Sequence, residues 1–372
     1  MKKKLAIICA GSDQIPLVKK AKEMGVETHC FAWDKEGYTQ CKGIADYFHP
    51  ISIVEKEQIL EACKNINIDG VTSIMNDYAV PTVAYVAQNM GLIGNGYEDS
   101  LILVSKFKMR QTFLKNGVNS PHFDISEKGQ IPDLSEFQYP LIVKPVDGRA
   151  SIGVIKADSG QELQHAIFLA NKGSFIGQVI IEEFIGGSEH NVDVISWKGK
   201  HYIVGINDKE FASTDRFILL GEHYPSQLSL NIQEKMKAET KKVLDAINFN
   251  YGASSTQFKV TETGEIFVIE VNPRMGGDYS FAKIELNTGY DYVKGVINVA
   301  LGKFEEPLFT CNKFSGSYFL HQETEWAREI IENKDSDPDI IEATFYEEEI
   351  CGKRNGYFIY QSEQKRRWGN NI

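Results

Sequence analysis

Residues 268–277 read VIEVNPRMGG, an apolar strand that runs into a polar, glycine-rich turn. Glu270 interrupts the apolar run, and a buried carboxylate is costly unless a cation or hydrogen-bond donors satisfy it. Because side chains alternate along a strand, Glu270 and Asn272 lie on the same face. Carboxylate and amide oxygens are ligands that suit Mg²⁺. The stretch therefore predicts a metal site near the end of a strand.

Three further features of the same hairpin point to an anionic ligand. Gln257 is the matching polar position on the partner strand, residues 255–260. Arg274 at the strand end can bind a phosphate or a carboxylate through two hydrogen bonds. The glycine pair 276–277 lets backbone N–H groups approach an anion closely. The alternative is a hairpin with a structural Glu270–Arg274 pair, and the convergence of these groups favours the ligand site.

The first hundred residues alternate between strand and helix patterns. Short apolar runs are separated by segments whose apolar positions recur at helical spacing. Such alternation predicts a parallel sheet with helices on both faces, and we predict an N-terminal α/β domain over residues 1–104. The predicted strands are 5–9, 26–32 and 70–75, and the predicted helices are 16–25, 55–65 and 80–90.

A different pattern begins after a helix predicted at 105–116. The strand 139–145 ends in Lys144 and is followed by the glycine-containing loop DGRASIGV, residues 147–154. Antiparallel strand patterns then dominate. The predicted boundaries are 105–305 for this domain, about 118–187 for a smaller lobe inside it, and 306–372 for a small α+β appendix.

In this order, the motifs resemble those of the ATP-grasp superfamily of carboxylate–amine ligases, from about residue 3 to about residue 303. The pattern is similar to that of biotin carboxylases, carbamoyl-phosphate synthetases and D-alanine–D-alanine ligase-type enzymes. The resemblance implies an ATP-grasp fold, of α/β and α+β class, behind a parallel-sheet domain similar to the N-terminal domain of biotin carboxylases. It also implies ATP as a substrate and Mg²⁺ or Mn²⁺ as the metal.

The resemblance implies where the ATP phosphates bind. Lys106 and Lys144 match the two lysines that hold them, and two ammonium groups offset much of the triphosphate charge. The loop 147–154 matches the mobile lid over the phosphates, and Arg149 in it either touches the γ-phosphate or faces solvent. The implied donors in this loop are Ser151 and the backbone N–H groups of Ile152 and Gly153.

The segment EEFIGGSE, residues 182–189, matches the hinge that binds adenine in this family. By resemblance, Glu182 and the backbone of Glu183 and Ile185 contact the adenine edge. Glu189 then accepts hydrogen bonds from the ribose hydroxyls.

The resemblance also assigns the metal ligands and the catalytic residues. Gln257, Glu270 and Asn272 match the metal-binding positions, and Arg274 matches the arginine that contacts the substrate and the transition state. The implied catalytic residues are Arg274, Lys144 and Glu270. Many family members have a glutamate where this chain has Gln257, whereas carbamoyl-phosphate synthetases resemble this chain in having glutamine. A neutral amide binds Mg²⁺ less strongly, so the number of metal ions stays open.

The implied reaction is phosphoryl transfer followed by acyl transfer. A substrate carboxylate attacks the γ-phosphate of ATP, and an amine or a thiol then attacks the acylphosphate, while the protein positions groups and neutralises charge. An amino acid or another small carboxylate is the expected substrate. The alternative is a purine-biosynthesis-type or carbamoyl-phosphate-synthetase-like enzyme that uses a phosphorylated amine or bicarbonate. A non-catalytic ATP-binding module would have lost a lysine or the metal ligands, and all are present.

Several residues are candidates for contacts with the substrate. Gly276 and Gly277 suit a carboxylate, and Asp278 is placed to hold an ammonium group, although a helix N-cap is the simpler expectation for Asp278. Asn76 and Asp77 follow a parallel strand at its carboxyl end, where α/β sheets bind ligands. For Asp77, too, an N-cap is an equally good interpretation.

Composition narrows the classes of partner. A net charge of −11 over 372 residues disfavours broad nucleic-acid binding, which needs Lys and Arg to replace phosphate counterions. No apolar run approaches the roughly 18–20 residues of a spanning helix, and the apolar stretch after the N-terminal lysines is too short for a signal peptide. The six cysteines form no CxxC pair, so reduced thiols are expected. We therefore expect a cytoplasmic protein with small-molecule partners, no nucleic-acid or membrane partner, and the homodimeric state common in the resembling families.

A nicotinamide-dependent dehydrogenase is disfavoured despite the alternating start of the chain. That class needs a GxGxxG motif after the first strand, and residues 10–15 read AGSDQI instead.

Overall fold

The structure is a computed structural model that describes residues 2–127, 129–148, 153–212, 218–350 and 354–368. Their strands form a four-stranded parallel sheet, a four-stranded antiparallel sheet and an eight-stranded antiparallel sheet. No helix in these ranges is long and apolar enough to cross a membrane. The mixed α/β and α+β class predicted from the sequence is confirmed.

The N-terminal residues form the parallel sheet and its helices. These elements are β1 (Lys4–Ile8), α1 (Ile15–Glu23), β2 (Glu27–Phe31), β3 (Tyr47–His49), α2 (Lys56–Ile66), β4 (Gly70–Thr72) and α3 (Val80–Met90). The strand order is β3-β2-β1-β4. Apolar side chains of β1 alternate between two cores, one containing Leu5 and Ile7 and the other Ala6 and Ile8. This sheet therefore has helices on both faces, as predicted.

Two helices lead from this sheet to the second one. They are α4 (Tyr97–Leu103) and α5 (Lys106–Lys115), and Ser105 caps α5 by accepting a hydrogen bond from the Lys108 N–H group at 3.4 Å. The second sheet consists of β5 (Phe123–Glu127), β6 (Leu141–Pro145), β7 (Ile155–Ala157) and β8 (Gln178–Glu183), with α6 (Gly160–Lys172) on one face. Its strand order is β5-β8-β6-β7. We call this sheet with α6 the small lobe.

The third sheet is the largest and runs into the C-terminal part of the chain. Its strands are β9 (Ser188–Trp197), β10 (Lys200–Phe211), β11 (Leu219–Tyr224), β12 (Tyr251–Val260), β13 (Ile266–Asn272), β14 (Phe314–Leu320), β15 (Ile340–Ile350) and β16 (Arg354–Ser362). The strand order is β13-β12-β9-β10-β11-β14-β16-β15. The accompanying helices are α7 (Leu230–Ala246), α8 (Ser280–Thr288), α9 (Tyr292–Ala300) and α10 (Ala327–Glu332).

The strands β14, β15 and β16, from the part of the chain (306–372) that was expected to form a small appendix, extend this central sheet. β14 pairs with β11, so that Gly221 lies opposite Tyr318, and β16 pairs with β14. No strand was predicted from the sequence at β11, because the buried Glu222 and His223 interrupt its apolar pattern. The C-terminal strands therefore contribute to the same layer that carries β12 and β13.

Two packing contacts bring the three sheets together. Helix α9 packs against the first sheet and against the central sheet, and Val296 shares one core with Leu5 and Ile195. Helix α5 packs in the core under β9, β12 and β13, where Met109 and Phe113 meet Val268. The segment after β4 contacts the end of β13 through Asp77 and Arg274, and the start of α5 contacts β13 and the loop after β6 through Lys106.

Candidate active site

The hairpin β12–β13 carries the predicted metal ligands. In its register Gln257 lies opposite Glu270, and Ser255 lies opposite Asn272. Burial alone would raise the pKa of Glu270, but Lys106 and Lys144 outweigh it and lower the pKa to about 2. Glu270 is therefore a carboxylate at neutral pH, as a cation ligand must be.

Lys106 joins this hairpin to the glycine-containing loop. Its Nζ lies 3.0 Å from Glu270 Oε1 and donates a hydrogen bond of 2.6 Å to the carbonyl oxygen of Gly148. The Lys106 backbone N–H group also donates to Val146, at 3.1 Å. The first turn of α5 thus holds the loop that follows β6 beside the candidate metal ligand.

A buried ion triad lies behind this contact. Glu182 Oε1 is 2.7 Å from Arg110 Nε, and Glu182 Oε2 is 2.6 Å from Lys144 Nζ. Arg110 is 1% exposed, and its second amino group donates to the carbonyl oxygen of Ile269 at 2.7 Å. Burial would raise the pKa of Glu182, but the two cations lower it below its usual range. The triad ties α5, the small lobe and β13 together.

The sequence analysis missed Arg110 and assigned Glu182 to adenine. In the structure both carboxylate oxygens of Glu182 are taken up by cations, so its side chain holds Lys144. The available signal for Arg110 was its position one helical turn after Lys106 in α5. The pKa of Lys144 is lowered, first by burial and then, despite Glu182, by the nearby Arg110 and Lys106. Such crowding of cations suits an anionic ligand.

The remaining hinge residues are anchored to the small lobe. The Glu183 N–H group donates to the carbonyl oxygen of His122 at 3.0 Å, and Glu183 Oε1 accepts from the Gln138 N–H group at 2.9 Å. The Phe184 N–H group donates to Pro140 at 3.0 Å. Ile185 follows directly and is partly exposed. Their contacts with adenine remain predictions.

Glu189 lies next to the candidate metal ligands. It is 7% exposed, with Lys209 Nζ at 3.0 Å from Oε1 and Lys259 Nζ at 3.6 Å from Oε2. The amide nitrogen of Gln257 donates to Glu189 Oε1. Two of these donors share Oε1, so Oε2 keeps acceptor capacity for the predicted contact with ribose. Because the Gln257 nitrogen is engaged, its oxygen is the atom left for a cation.

The donor set fits one Mg²⁺ ion. Glu270 supplies a carboxylate, and Gln257 and Asn272 supply amide oxygens. Within the described ranges no cluster of three or more His, Cys, Asp or Glu side chains is placed to hold a metal. Mg²⁺ commonly takes one or two carboxylates and completes its shell with water and phosphate oxygens. A sparse set of this kind suits an ion that arrives with a phosphate.

Arg274 connects the hairpin to the parallel sheet. Its Nε lies 2.8 Å from Asp77 Oδ1 and its terminal nitrogen 2.9 Å from Asp77 Oδ2, a two-point contact. The same terminal nitrogen is 3.3 Å from Asn272 Oδ1. The N-cap role considered for Asp77 belongs to Asn76, whose side chain accepts from the Ala79 N–H group at 3.3 Å. Asp77 instead orients the predicted catalytic arginine.

The two glycines of the turn have different surroundings. A Cβ on Gly276 would lie 3.0 Å from Ser280 Oγ and 3.3 Å from Asp193 Oδ1, whereas a Cβ on Gly277 would have no heavy atom within 4 Å. A side chain at Gly276 would be tightly packed against its neighbours, whereas Gly277 borders open space. Close approach of backbone explains the first glycine and leaves the second available to a ligand.

The N-cap expected at Asp278 is wrong. Helix α8 begins at Ser280, its N-cap residue is Tyr279, and no side chain caps it. The Asp278 carboxylate instead forms an ion pair with Arg354 of β16. Burial would raise the pKa of Asp278, but Arg354 foremost lowers it. Arg354 had no signal in the sequence, since it lies in the part expected to be an appendix.

A second ion pair missed by the sequence analysis is fully buried beside this loop. Lys283 of α8 is 0% exposed, and its Nζ lies 2.6 Å from Glu222 Oε2 and 3.0 Å from Ser317 Oγ. The pair bridges α8 to β11 and β14. It fixes the helix that follows the glycine pair.

The lid loop is described only at its two ends. Arg149, Ser151 and Ile152, three of the predicted contacts with phosphate, lie outside the described residues. Gly153 has φ +75°, and a Cβ there would lie 3.0 Å from Pro145. The loop therefore re-enters β7 through a left-handed turn packed on the end of β6.

Comparison with known proteins supports the interpretation of these motifs. Residues 137–282 match the ATP-grasp domain family. A D-alanine–D-alanine ligase of Geobacter sulfurreducens is 27% identical over 202 residues, which cover 52% of this chain and 63% of that protein. The chain spans about half to two thirds of the length of the first curated relatives it matches, with 56%, 63% and 51% covered.

Two solved structures share nearly the whole architecture. The L-amino acid ligase of Bacillus licheniformis superposes with a TM-score of 0.81 at 21% identity, covering 98% of this chain and 94% of that one. The N5-carboxyaminoimidazole synthetase of Staphylococcus aureus, solved in complex with ADP, gives 0.80 at 15% identity, covering 98% and 95%. Residues 137–282 are therefore similar to an ATP-grasp domain, and the chain has the fold of these two enzymes.

Proposed function

We propose that this protein is an ATP-dependent, ADP-forming carboxylate–amine ligase that works through an acylphosphate on an amino acid or another small carboxylate. The observation that carries the proposal is the double contact of Lys106 with Glu270 and with the Gly148 carbonyl oxygen. It brings the metal-ligand strand and the glycine-containing loop to one point. ADP in a solved relative of the same fold supports ATP as the nucleotide here.

The side chains divide the work on the nucleotide. Lys106 and Lys144 bind the phosphates, and Arg110 with Glu182 keeps the Lys144 ammonium in place. Glu270, with the amide oxygens of Gln257 and Asn272, would hold Mg²⁺. When bound, the ion supplies charge neutralisation for the transferred phosphoryl group.

The chemical steps follow from these positions. A carboxylate oxygen of the substrate attacks the γ-phosphorus, the bond from that phosphorus to the ADP oxygen breaks, and ADP leaves. The amine nitrogen then attacks the acyl carbon, the carbon–oxygen bond to phosphate breaks, and one amine proton passes to water. Arg274 lies beside the metal ligands, where it stabilises the negative charge on the reacting carboxylate and phosphate.

The direct test is ADP and phosphate release with ATP, Mg²⁺ and a panel of amino acids, offered singly and in pairs. Bicarbonate and small carboxylates complete the panel. Hydroxylamine added in place of the amine should trap the acylphosphate as a hydroxamate. Release only with bicarbonate would move the enzyme to the carboxylating alternative, and ATP binding without release under any condition would contradict the ligase proposal.

Glu270→Gln tests the metal assignment. Turnover should fall roughly 100- to 1,000-fold, because several kcal/mol of charge stabilisation depend on the carboxylate. Glu265→Gln, an exposed position just before the same strand, is the matched control and should keep wild-type turnover. A fully active Glu270→Gln enzyme would contradict the assignment. The predicted homodimer is checked separately by light scattering on the wild-type chain.

A further inference from the structure

Two arginine–aspartate pairs flank the glycine pair at the end of β13. Arg274 and Asp77 form the first, on the side of the metal ligands. Arg354 and Asp278 form the second, on the side of the C-terminal strands. Each pair joins distant parts of the chain, and neither closes a helix or a turn.

Open space borders Gly277, the residue before Asp278. Gly277 lies between the two pairs in the chain, and a Cβ there would have no heavy atom within 4 Å. The side chains of Arg354 and Asp278 are 16% and 30% exposed. Both partners are therefore partly open to solvent, and Asp278 directly follows the open position at Gly277.

The backbone at this point is held in an unusual conformation. Asp278 and Tyr279 have φ +55° and +61°, two consecutive left-handed residues that are not glycine. Such conformations persist only where the surroundings enforce them, and they cluster at functional sites. Here they direct the Asp278 carboxylate toward Arg354 and away from the N-terminus of α8.

Aromatic groups form the wall beside the pair. The Arg354 guanidinium lies 3.8 Å from the centre of the Phe319 ring. Tyr279 stacks on Tyr357 with ring centres 4.1 Å apart, and its hydroxyl lies 3.2 Å from that of Tyr346. A ligand that binds the ion pair would therefore have apolar surface next to it.

We propose that Arg354 and Asp278 bind the zwitterionic head of an α-amino acid with an apolar side chain, which serves as the amine substrate. Its carboxylate takes the place of Asp278 on the Arg354 guanidinium, and its ammonium group takes the place of Arg354 on Asp278. A zwitterion matches such a pair because it returns one opposite charge to each partner. The inference rests on the proposed ligase function and adds the second substrate to it.

The assignment of the two substrates follows from the order of the pairs. Arg274 contacts Asn272, a candidate metal ligand, so the carboxylate that is phosphorylated belongs at the first pair. The second pair lies across Gly277, where the incoming amine belongs. Before attack the bound ammonium loses one proton to water. The new carbon–nitrogen bond then forms as the carbon–oxygen bond to phosphate breaks, and the second proton is taken up by the leaving phosphate.

The test is steady-state kinetics of Arg354→Gln with L-alanine, L-leucine and L-phenylalanine as amines. Loss of a hydrogen bond to a charged group should raise the KM for the amine roughly 10- to 100-fold, while the KM values for ATP and the carboxylate substrate stay within about twofold. L-Phenylalaninamide, which lacks the carboxylate, should bind equally weakly to both enzymes. Arg328→Gln is the matched control, because Arg328 also pairs with an acid and lies near a phenylalanine ring, but on the exposed side of α10.

A second variant protects the test against a folding defect. Gly277→Ala should fold like the wild type, since its Cβ meets no atom, and should still raise the KM for the amine. An unchanged KM for the amine in either variant would overturn the proposal. A parallel rise of the KM values for the amine, ATP and the carboxylate substrate would also overturn it.

Failure of the proposed function is distinguishable from failure of this site. If the wild type releases no ADP with any pair of amino acids, calorimetric titration with L-leucine and L-phenylalanine measures directly whether the site binds an amino acid. Binding that Arg354→Gln weakens would keep the site, and lack of binding to the wild type would overturn it.

Discussion

Glu182→Gln perturbs the triad that joins α5, the small lobe and the central sheet. The substitution keeps the size of the side chain and removes the charge shared by Arg110 and Lys144, which are 1% and 7% exposed. Removal of one partner from a buried ion pair costs about 3–5 kcal/mol, because the other charge stays buried without compensation. Since glutamine can still accept one hydrogen bond, we expect the lower end, a loss of about 3 kcal/mol in the free energy of unfolding.

The pH dependence of this loss has a definite sign. Despite burial, the cations beside Glu182 hold its folded-state pKa below the ordinary value of 4.5. Its contribution to stability is therefore fully present above pH 4.5 and is lost as the pH falls through the folded pKa. The difference between wild type and variant should be constant near neutral pH and shrink in acid.

Urea unfolding followed by circular dichroism measures both effects. Glu183→Gln is the matched control, because the neighbouring carboxylate is 28% exposed and should cost less than about 1 kcal/mol. The variant should also bind ATP differently, because Lys144 loses its anchor. Equal losses for the two variants near neutral pH, or a Glu182→Gln loss that persists undiminished in acid, would refute the reasoning.

Three other substitutions test the buried groups around the glycine pair, each by urea unfolding. Lys283→Met should cost about 3–5 kcal/mol because Glu222 is left buried and unpaired, and Lys283→Met with Glu222→Leu should recover most of it; a double variant as unstable as the single one would contradict this. Burial raises the pKa of Asp193 from 3.8 to about 6, so wild-type stability should fall as the pH rises through that range. Asp193→Asn should then be more stable than wild type near neutral pH, by at most roughly 3 kcal/mol, and a pH-independent difference would disprove the cause. Gly276→Ala should cost about 1–3 kcal/mol because its Cβ meets Ser280 and Asp193, and a neutral result would show that the turn can move.

Local patterns in the sequence predicted several strands and helices and the order of the motifs, but β3, α4 and β11 were not among the predicted elements. Period-two alternation placed Glu270 and Asn272 on one face of a strand. The register of the hairpin sets Gln257 opposite Glu270, as expected. The family resemblance depended on residue types in a fixed order along the chain, and the match of residues 137–282 confirms it. Such information is local, since it needs only the spacing of residues within one element.

These local patterns do not predict which charged side chains form ion pairs with each other. Glu182 was expected at adenine, a contact that stays a prediction, and its carboxylate neutralises Arg110 and Lys144, which belong to different elements. Asp278 was expected to cap a helix and instead pairs with Arg354, 76 residues further along the chain. An aspartate just before a helix can cap that helix or form an ion pair with a distant residue. Here the position of β16, which carries Arg354, decides for the ion pair.

From the sequence alone came the resemblance to ATP-grasp ligases, the alternating strands and helices of the N-terminal residues except β3, and candidate residues for phosphate and metal, whose roles stay predictions. The tertiary structure decided which cation each carboxylate meets, how Asp77 reaches Arg274, and how the C-terminal strands come to border the candidate site. The physical reason is that side-chain pairing in a buried site depends on the order of strands in a sheet and on the docking of sheets. Neither the strand order nor the docking of sheets produces a periodic pattern in the sequence.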